Sequence, residues 1–143
     1  MLSDHKSFIF SEDNLNELCV YLLDISTHNP HVFFLLNGDL GSGKTTLVKE
    51  FVKFFLKTDG VTSPTFSISQ DYEDKVFHYD LYQREFGHLL ELGFLELFER
   101  KGIHFIEWAE DHLRDMLKRW DFFTVTITIT PLQDNQRKYE ITQ

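Results

Sequence analysis

The chain has 143 residues, 42% of them hydrophobic and 15 of them Phe, which is enough apolar material for one packed domain and excludes a disordered chain. A formal net charge of −9 argues against a surface that grips nucleic acid directly, because displacing counterions from a polyanion takes a cationic face; acidity of this size also serves solubility. A single cysteine, Cys19, excludes an internal disulfide. With no apolar run of membrane-spanning length and no signal-peptide pattern at Met1–Lys6, the expectation is a single cytoplasmic domain over residues 1–143, with no membrane contact.

Residues Ser7 to Phe10 read as a short strand, and Ser11 as the N-cap of a first helix with Glu12 and Asp13 in its first turn. Leu15, Leu18, Cys19, Leu22 and Leu23 share one helical face, so Cys19 is expected to pack rather than react. His28-Asn29-Pro30-His31 is a turn. Its two histidines lack an apparent third ligand for a metal, and a solvated loop is the plainer reading.

Val32-Phe33-Phe34-Leu35-Leu36 is an uninterrupted apolar run, the pattern of a buried parallel strand. Gly38-Asp39-Leu40-Gly41-Ser42-Gly43-Lys44-Thr45 follows it and fits the phosphate-loop pattern of Gly, four residues, then Gly-Lys-Ser/Thr. Leu47, Val48, Phe51, Val52 and Phe55 then mark one face of an amphipathic helix. Strand, loop and helix are the context this motif requires. Glycines let the backbone approach phosphate oxygens, and the N–H groups of Asp39 through Thr46 form an anion nest at the positive end of the helix dipole. Lys44 supplies a charge to the β- and γ-phosphates, and the Thr45 hydroxyl is an oxygen ligand for Mg²⁺.

Thr58-Asp59-Gly60 is a helix stop. In Thr62-Ser63-Pro64-Thr65-Phe66, hydroxyl residues flank a proline that keeps the backbone extended. A loop of this kind serves as a nucleotide switch in some proteins, although a polar connection into a strand is the plainer reading of the residues alone. Phe66 to Tyr72 and Val76 to Leu81 read as a hairpin closed by Glu73-Asp74-Lys75, which makes part of the sheet antiparallel. Asp80, at the end of an apolar run, sits where phosphate-loop enzymes present a magnesium-side carboxylate, while His78 reads as a packed strand residue.

A helical stretch from Glu85 to Lys101, broken at Gly87 or Gly93 and capped by Gly102, leads to Ile103-His104-Phe105-Ile106-Glu107-Trp108. Glu107 is the second candidate carboxylate, and spacing does not rank it against Asp80. Trp108 can stack on adenine, face a partner, or pack in the core. A helix over residues 109–119 follows. Phe123 to Thr130 alternates strictly, as a strand with one wet face does, and ends at Pro131; Asp134-Asn135 turns the chain into an edge strand over Lys138 to Thr142.

Taken together, the phosphate loop through Thr46, Thr62-Ser63-Pro64-Thr65-Phe66, His78-Tyr79-Asp80-Leu81-Tyr82 and Glu107-Trp108-Ala109-Glu110 arrive in an order that resembles the bacterial TsaE (YjeE) family. The resemblance spans about residues 35–110. It implies a three-layer α/β domain of the phosphate-loop NTPase kind, with a mixed sheet flanked by helices. It also implies ATP and Mg²⁺ as ligands, with Thr45 and Glu107 beside the metal, Asp80 and Lys44 in hydrolysis, and Thr65 in a switch-like loop. The partners implied are TsaB and TsaD, with which the family forms N6-threonylcarbamoyladenosine in tRNA; the ATPase resets the complex between turnovers and meets tRNA only through it. Gln83 stands where the family has arginine, with Arg84 one residue late; Ala109 replaces a proline and Ser42 an alanine. Two other classes share the phosphate loop: a small-metabolite kinase, which needs an acceptor pocket and an arginine-bearing lid, and a nucleotide-gated binding module without turnover.

Overall fold

The computed structural model describes residues 5–57 and 68–143. Thr58–Gly60 and the Thr62–Phe66 segment, including Thr65, lie outside the described residues. The elements are β1 (His5–Ser11), α1 (Asn16–His28), β2 (Val32–Asn37), α2 (Lys44–Leu56), β3 (Ser69–Tyr72), β4 (Val76–Asp80), α3 (Phe86–Glu91), α4 (Phe94–Phe98), β5 (Ile103–Glu107), α5 (Asp111–Arg119), β6 (Phe123–Pro131) and β7 (Gln136–Thr142). No helix among the described residues is long and apolar enough to cross a membrane.

The strands form one seven-stranded sheet in the order β1-β7-β6-β2-β5-β4-β3. Strands β6, β2, β5 and β4 run parallel. An antiparallel strand closes the β4 side (β3), and two close the other (β7 and β1). Period-two alternation divides the core in two. Val32, Phe34, Leu36, Phe105, Val125, Ile127 and Tyr139 pack under α1 and α2. Phe33, Leu35, Phe77, Tyr79 and Ile106 pack under α3, α4 and α5. The three layers follow because β2 and β5 are apolar on both faces and must be covered on both.

Several expectations change in detail. Ser11 ends β1, and its carbonyl accepts from the Asn14 N–H in a turn; α1 starts only at Asn16, after the buried Leu15. The break between α3 and α4 falls at Gly93, with φ of 80°. Gly102 caps no helix: its φ is 149°, and a Cβ there would lie 2.9 Å from the Lys75 carbonyl oxygen. Strand β7 is interior, because β1 pairs along its far side. The threonine face of β6 is half-buried at Thr124, Thr126 and Thr128, since α5 packs against that strand. His31 is half-buried rather than solvated: its Nε2 is 2.8 Å from the Phe98 carbonyl oxygen, and its ring packs on Phe33 and Phe122. Cys19 is buried as expected, and burial pushes its thiol up to about 12.

Candidate functional site

Strand β2 lies between β6 and β5; after it the chain fills the β5 side of the sheet with β3, β4 and β5 before crossing to β6 on the other side. The carboxyl end of such a strand opens a crevice, and the phosphate loop occupies it. Gly43 precedes α2 with φ of 108°, a conformation that favours glycine, and its carbonyl accepts from Leu47 N–H in the first turn. The loop is braced within itself by Ser42 N–H donating to the Asp39 carbonyl at 3.0 Å. A concavity of about 250 Å³ opens above it, lined by the loop and by Glu12, Asp80, Tyr82, Glu107 and Trp108.

The predicted residues converge from separate elements. Strand alternation turns Glu107, with its neighbour in register Asp80, toward the α2 side of the sheet. There the Thr45 hydroxyl, at the start of α2, donates to the Glu107 carboxylate, 2.9 Å from Oε2 and 3.1 Å from Oε1. Glu107 is buried and Asp80 half-buried. Asp80 is tied otherwise: its Oδ1 accepts from the Tyr82 N–H at 3.1 Å. The geometry thus separates two carboxylates that spacing left equal, joining Glu107 to Thr45 and leaving Asp80 at the lip.

Lys44 is buried, and its ammonium donates to the carbonyls of Gly38 and of Asp39, the latter at 3.1 Å. Its nitrogen also lies 3.9 Å from the centroid of the Trp108 ring. Burial lowers its pKa, against the opposing fields of Glu107, Asp80 and Asp39. Trp108 follows β5 with φ of 64°, packs against Tyr82 with ring centroids 4.9 Å apart and the planes tilted by 49°, and is half-buried. It therefore stands on the carboxylate flank of the loop rather than in either core layer. Arg84 is exposed and helps line a small cavity with Trp108 and Glu110.

Three contributors escaped the sequence. His78, read as a packing residue, is fully buried with Nε2 2.5 Å from Glu107 Oε2. Glu12 lines the pocket, and Arg137 reaches the loop from β7 with Nε 2.6 Å from the Ser42 carbonyl oxygen. A signal for Arg137 existed: it shares the period-two face of Tyr139 and Ile141, where a charged side chain needs a partner. His78 offered the same signal, an imidazole on the face of β4 shared with Val76 and Asp80.

The donor set suits Mg²⁺, which prefers oxygen ligands and completes its shell with substrate phosphates and water. Thr45, Glu107 and Asp80 supply a hydroxyl and two carboxylates around one opening. A Gly-rich turn at the end of a central parallel strand, a lysine inside it and acids on the adjoining strand tips define a phosphate-loop NTPase-like α/β protein.

A profile described as "Threonylcarbamoyl adenosine biosynthesis protein TsaE" matches residues 10–139. The chain belongs to the TsaE family. It is 41% identical over 86 residues to a "tRNA threonylcarbamoyladenosine biosynthesis protein TsaE" of Rickettsia conorii, covering 57% of this chain and 49% of that relative. A relative of the same description from Nostoc is 36% identical over 118 residues, covering 77% and 72% of the two chains. Most of the first matches, however, cover only about half to three-fifths of the curated relatives' length. The fold matches the crystal structure of Bacillus subtilis YdiB with a TM-score of 0.65 at 24% identity, over 99% of this chain and 87% of that one.

Proposed function

We propose that this chain is a Mg²⁺-dependent ATPase that serves the formation of N6-threonylcarbamoyladenosine in tRNA, working with TsaB and TsaD and resetting their complex between turnovers. The observation that carries the reading is the meeting of Thr45 with Glu107 beside the phosphate loop, with Lys44 in the same opening. Loop amides and Lys44 bind the polyphosphate, and Thr45, Glu107 and Asp80 hold the metal's side of the pocket. Mg²⁺ supplies charge neutralisation of the β- and γ-phosphates when bound. In this reading Asp80, at the lip, orients the attacking water, and Trp108, whose ring lies beside Lys44, shields the γ-phosphate end from bulk solvent. Thr65 is assigned to a switch loop by the resemblance alone.

The family to which the chain belongs supports the pathway. The acidic balance of the chain supports indirect contact with tRNA, held by the partner proteins. Exposed Leu40 and Tyr82 at the mouth of the pocket offer those partners apolar contact beside the nucleotide. The test is ATP turnover with phosphate tracing, with and without TsaB and TsaD. Release of free phosphate that rises strongly with the partners supports the reading. Transfer of phosphate to a metabolite supports a kinase, and nucleotide-dependent partner binding without turnover supports a gated module.

A further inference from the structure

We propose that Arg137 is a positioning residue for the phosphate loop, and that with Glu12 it forms a charge-matched wall on the β1/β7 side of the nucleotide pocket. The inference rests on the nucleotide reading of that pocket. Arg137 is far from the loop in sequence and comes from the antiparallel wing, where it sits between Phe10 of β1 and Pro131 of β6. It lies two residues before Tyr139 on the face turned toward α1 and α2, so its side chain runs under the loop instead of into solvent.

Two contacts define what it does. Its Nε–H donates to the Ser42 carbonyl at 2.6 Å, and its Nη2 is 2.7 Å from Glu12 Oε1. The Ser42 carbonyl and the Gly43 N–H belong to one peptide plane, and the chain has no cis bonds among its described residues. In a trans peptide these groups point in opposite directions. A donor that pins the carbonyl to the β7 side therefore turns the Gly43 N–H the other way, as an anion-binding loop needs. Gly43 also makes room for the clamp: a Cβ on it would lie 3.0 Å from Arg137 Nε.

The second contact answers an electrostatic problem. Glu12 lines the same pocket as the loop, and an unpaired carboxylate there would repel a polyphosphate. Arg137 neutralises it with a guanidinium that is only 17% exposed, while Glu12 is 41% exposed at the rim. One planar group thus orients an amide with one nitrogen and cancels a charge with another, which a lysine's single ammonium does not reproduce. The metal-side carboxylates belong to β5 and β4 on the opposite flank of β2, so the two ends of the pocket are built from different halves of the sheet.

The test compares the unaltered protein with Arg137→Gln, Arg137→Lys, Glu12→Gln and the double variant Arg137→Gln/Glu12→Gln, using ADP affinity by calorimetry and the amide nitrogen shift of Gly43 in the nucleotide-free protein by NMR, which reports the hydrogen bond made to the Ser42 carbonyl of the same peptide unit. Arg137→Gln is expected to weaken ADP binding about tenfold or more and to move the Gly43 nitrogen signal upfield, with β2 and β5 amides unchanged. Adding Glu12→Gln recovers the charge part of the loss but leaves the Gly43 signal displaced, and Arg137→Lys does the same. An unmoved Gly43 signal in Arg137→Gln overturns the positioning role, and absence of any recovery by Glu12→Gln overturns the charge-matched wall. If the unaltered protein binds no nucleotide, the nucleotide reading and the charge-matched wall fall, whereas the Gly43 shift still decides whether Arg137 sets the loop.

Discussion

The ammonium of Lys44 sits 3.9 Å from the centre of the Trp108 ring while donating to two backbone carbonyls of its own loop. All three direct partners are neutral, and the carboxylates of Glu107, Asp80 and Asp39 act on the cation only through their fields. A polyphosphate offers it formal charge in exchange, and the trade should favour binding strongly.

Lys44→Ala is therefore expected to weaken ATP binding by at least about 100-fold, with the fold intact, as calorimetry and circular dichroism would check. Because Trp108 loses its cation contact when Lys44 turns to phosphate, ATP should shift Trp108 fluorescence in a Trp120→Phe background. An unshifted emission on saturation would mean that lysine and indole stay together.

Glu107→Gln keeps a hydrogen-bond acceptor for the Thr45 hydroxyl but removes the charge. Mg²⁺-dependent turnover should fall about 100-fold or more, while ADP affinity without Mg²⁺ changes by less than about threefold. Equal losses in both assays would place Glu107 in nucleotide binding rather than at the metal.

Beside Glu107, His78→Leu removes a partner 2.5 Å from a carboxylate that is itself only 3% exposed. Leaving a buried charged group short of a hydrogen bond should cost about 2 kcal/mol of stability, read from urea midpoints. Combining it with Glu107→Gln should return part of that loss; strictly additive losses would show that the two side chains do not support each other.

A pH prediction comes from the opposite face of the sheet. His104 is fully buried among Phe33, Phe77 and Tyr79. Its Nε2 is 2.7 Å from the Arg100 carbonyl oxygen, which fixes the proton there and leaves Nδ1 to accept from the Tyr79 hydroxyl at 2.9 Å. Burial, with smaller contributions from His31 and Arg100, pushes its pKa from 6.5 to about 3 against the pull of that carbonyl. The unfolded chain therefore takes up a proton below pH 6.5 that the folded chain refuses until about pH 3. The stability due to a neutral His104 is complete above the upper value and falls as pH drops through the window. Between pH 7 and pH 5 the loss should be about 2 kcal/mol. NMR should still show the neutral Nε2–H ring at pH 5, and a protonated ring in the folded protein at pH 6 would refute this.

What the sequence determined by itself was local. The phosphate loop, its strand and its helix are encoded in one contiguous run, and their periods of two and of 3.6 residues mark which side chains are buried. The hairpin at Glu73–Lys75, the break in the helical stretch and the strand ending in Glu107 were legible for the same reason. Tertiary structure decided everything that needed strand order and register. The sheet order set β1 beyond β7, turned an expected edge strand into an interior one, and brought Glu12 and Arg137 to the loop. Strand facing paired His78 with Glu107, and the start of α2 gave Glu107 rather than Asp80 to Thr45. Such contacts join residues separated by long stretches of chain, and no short window of sequence records which distant segments the collapse of the core will place side by side.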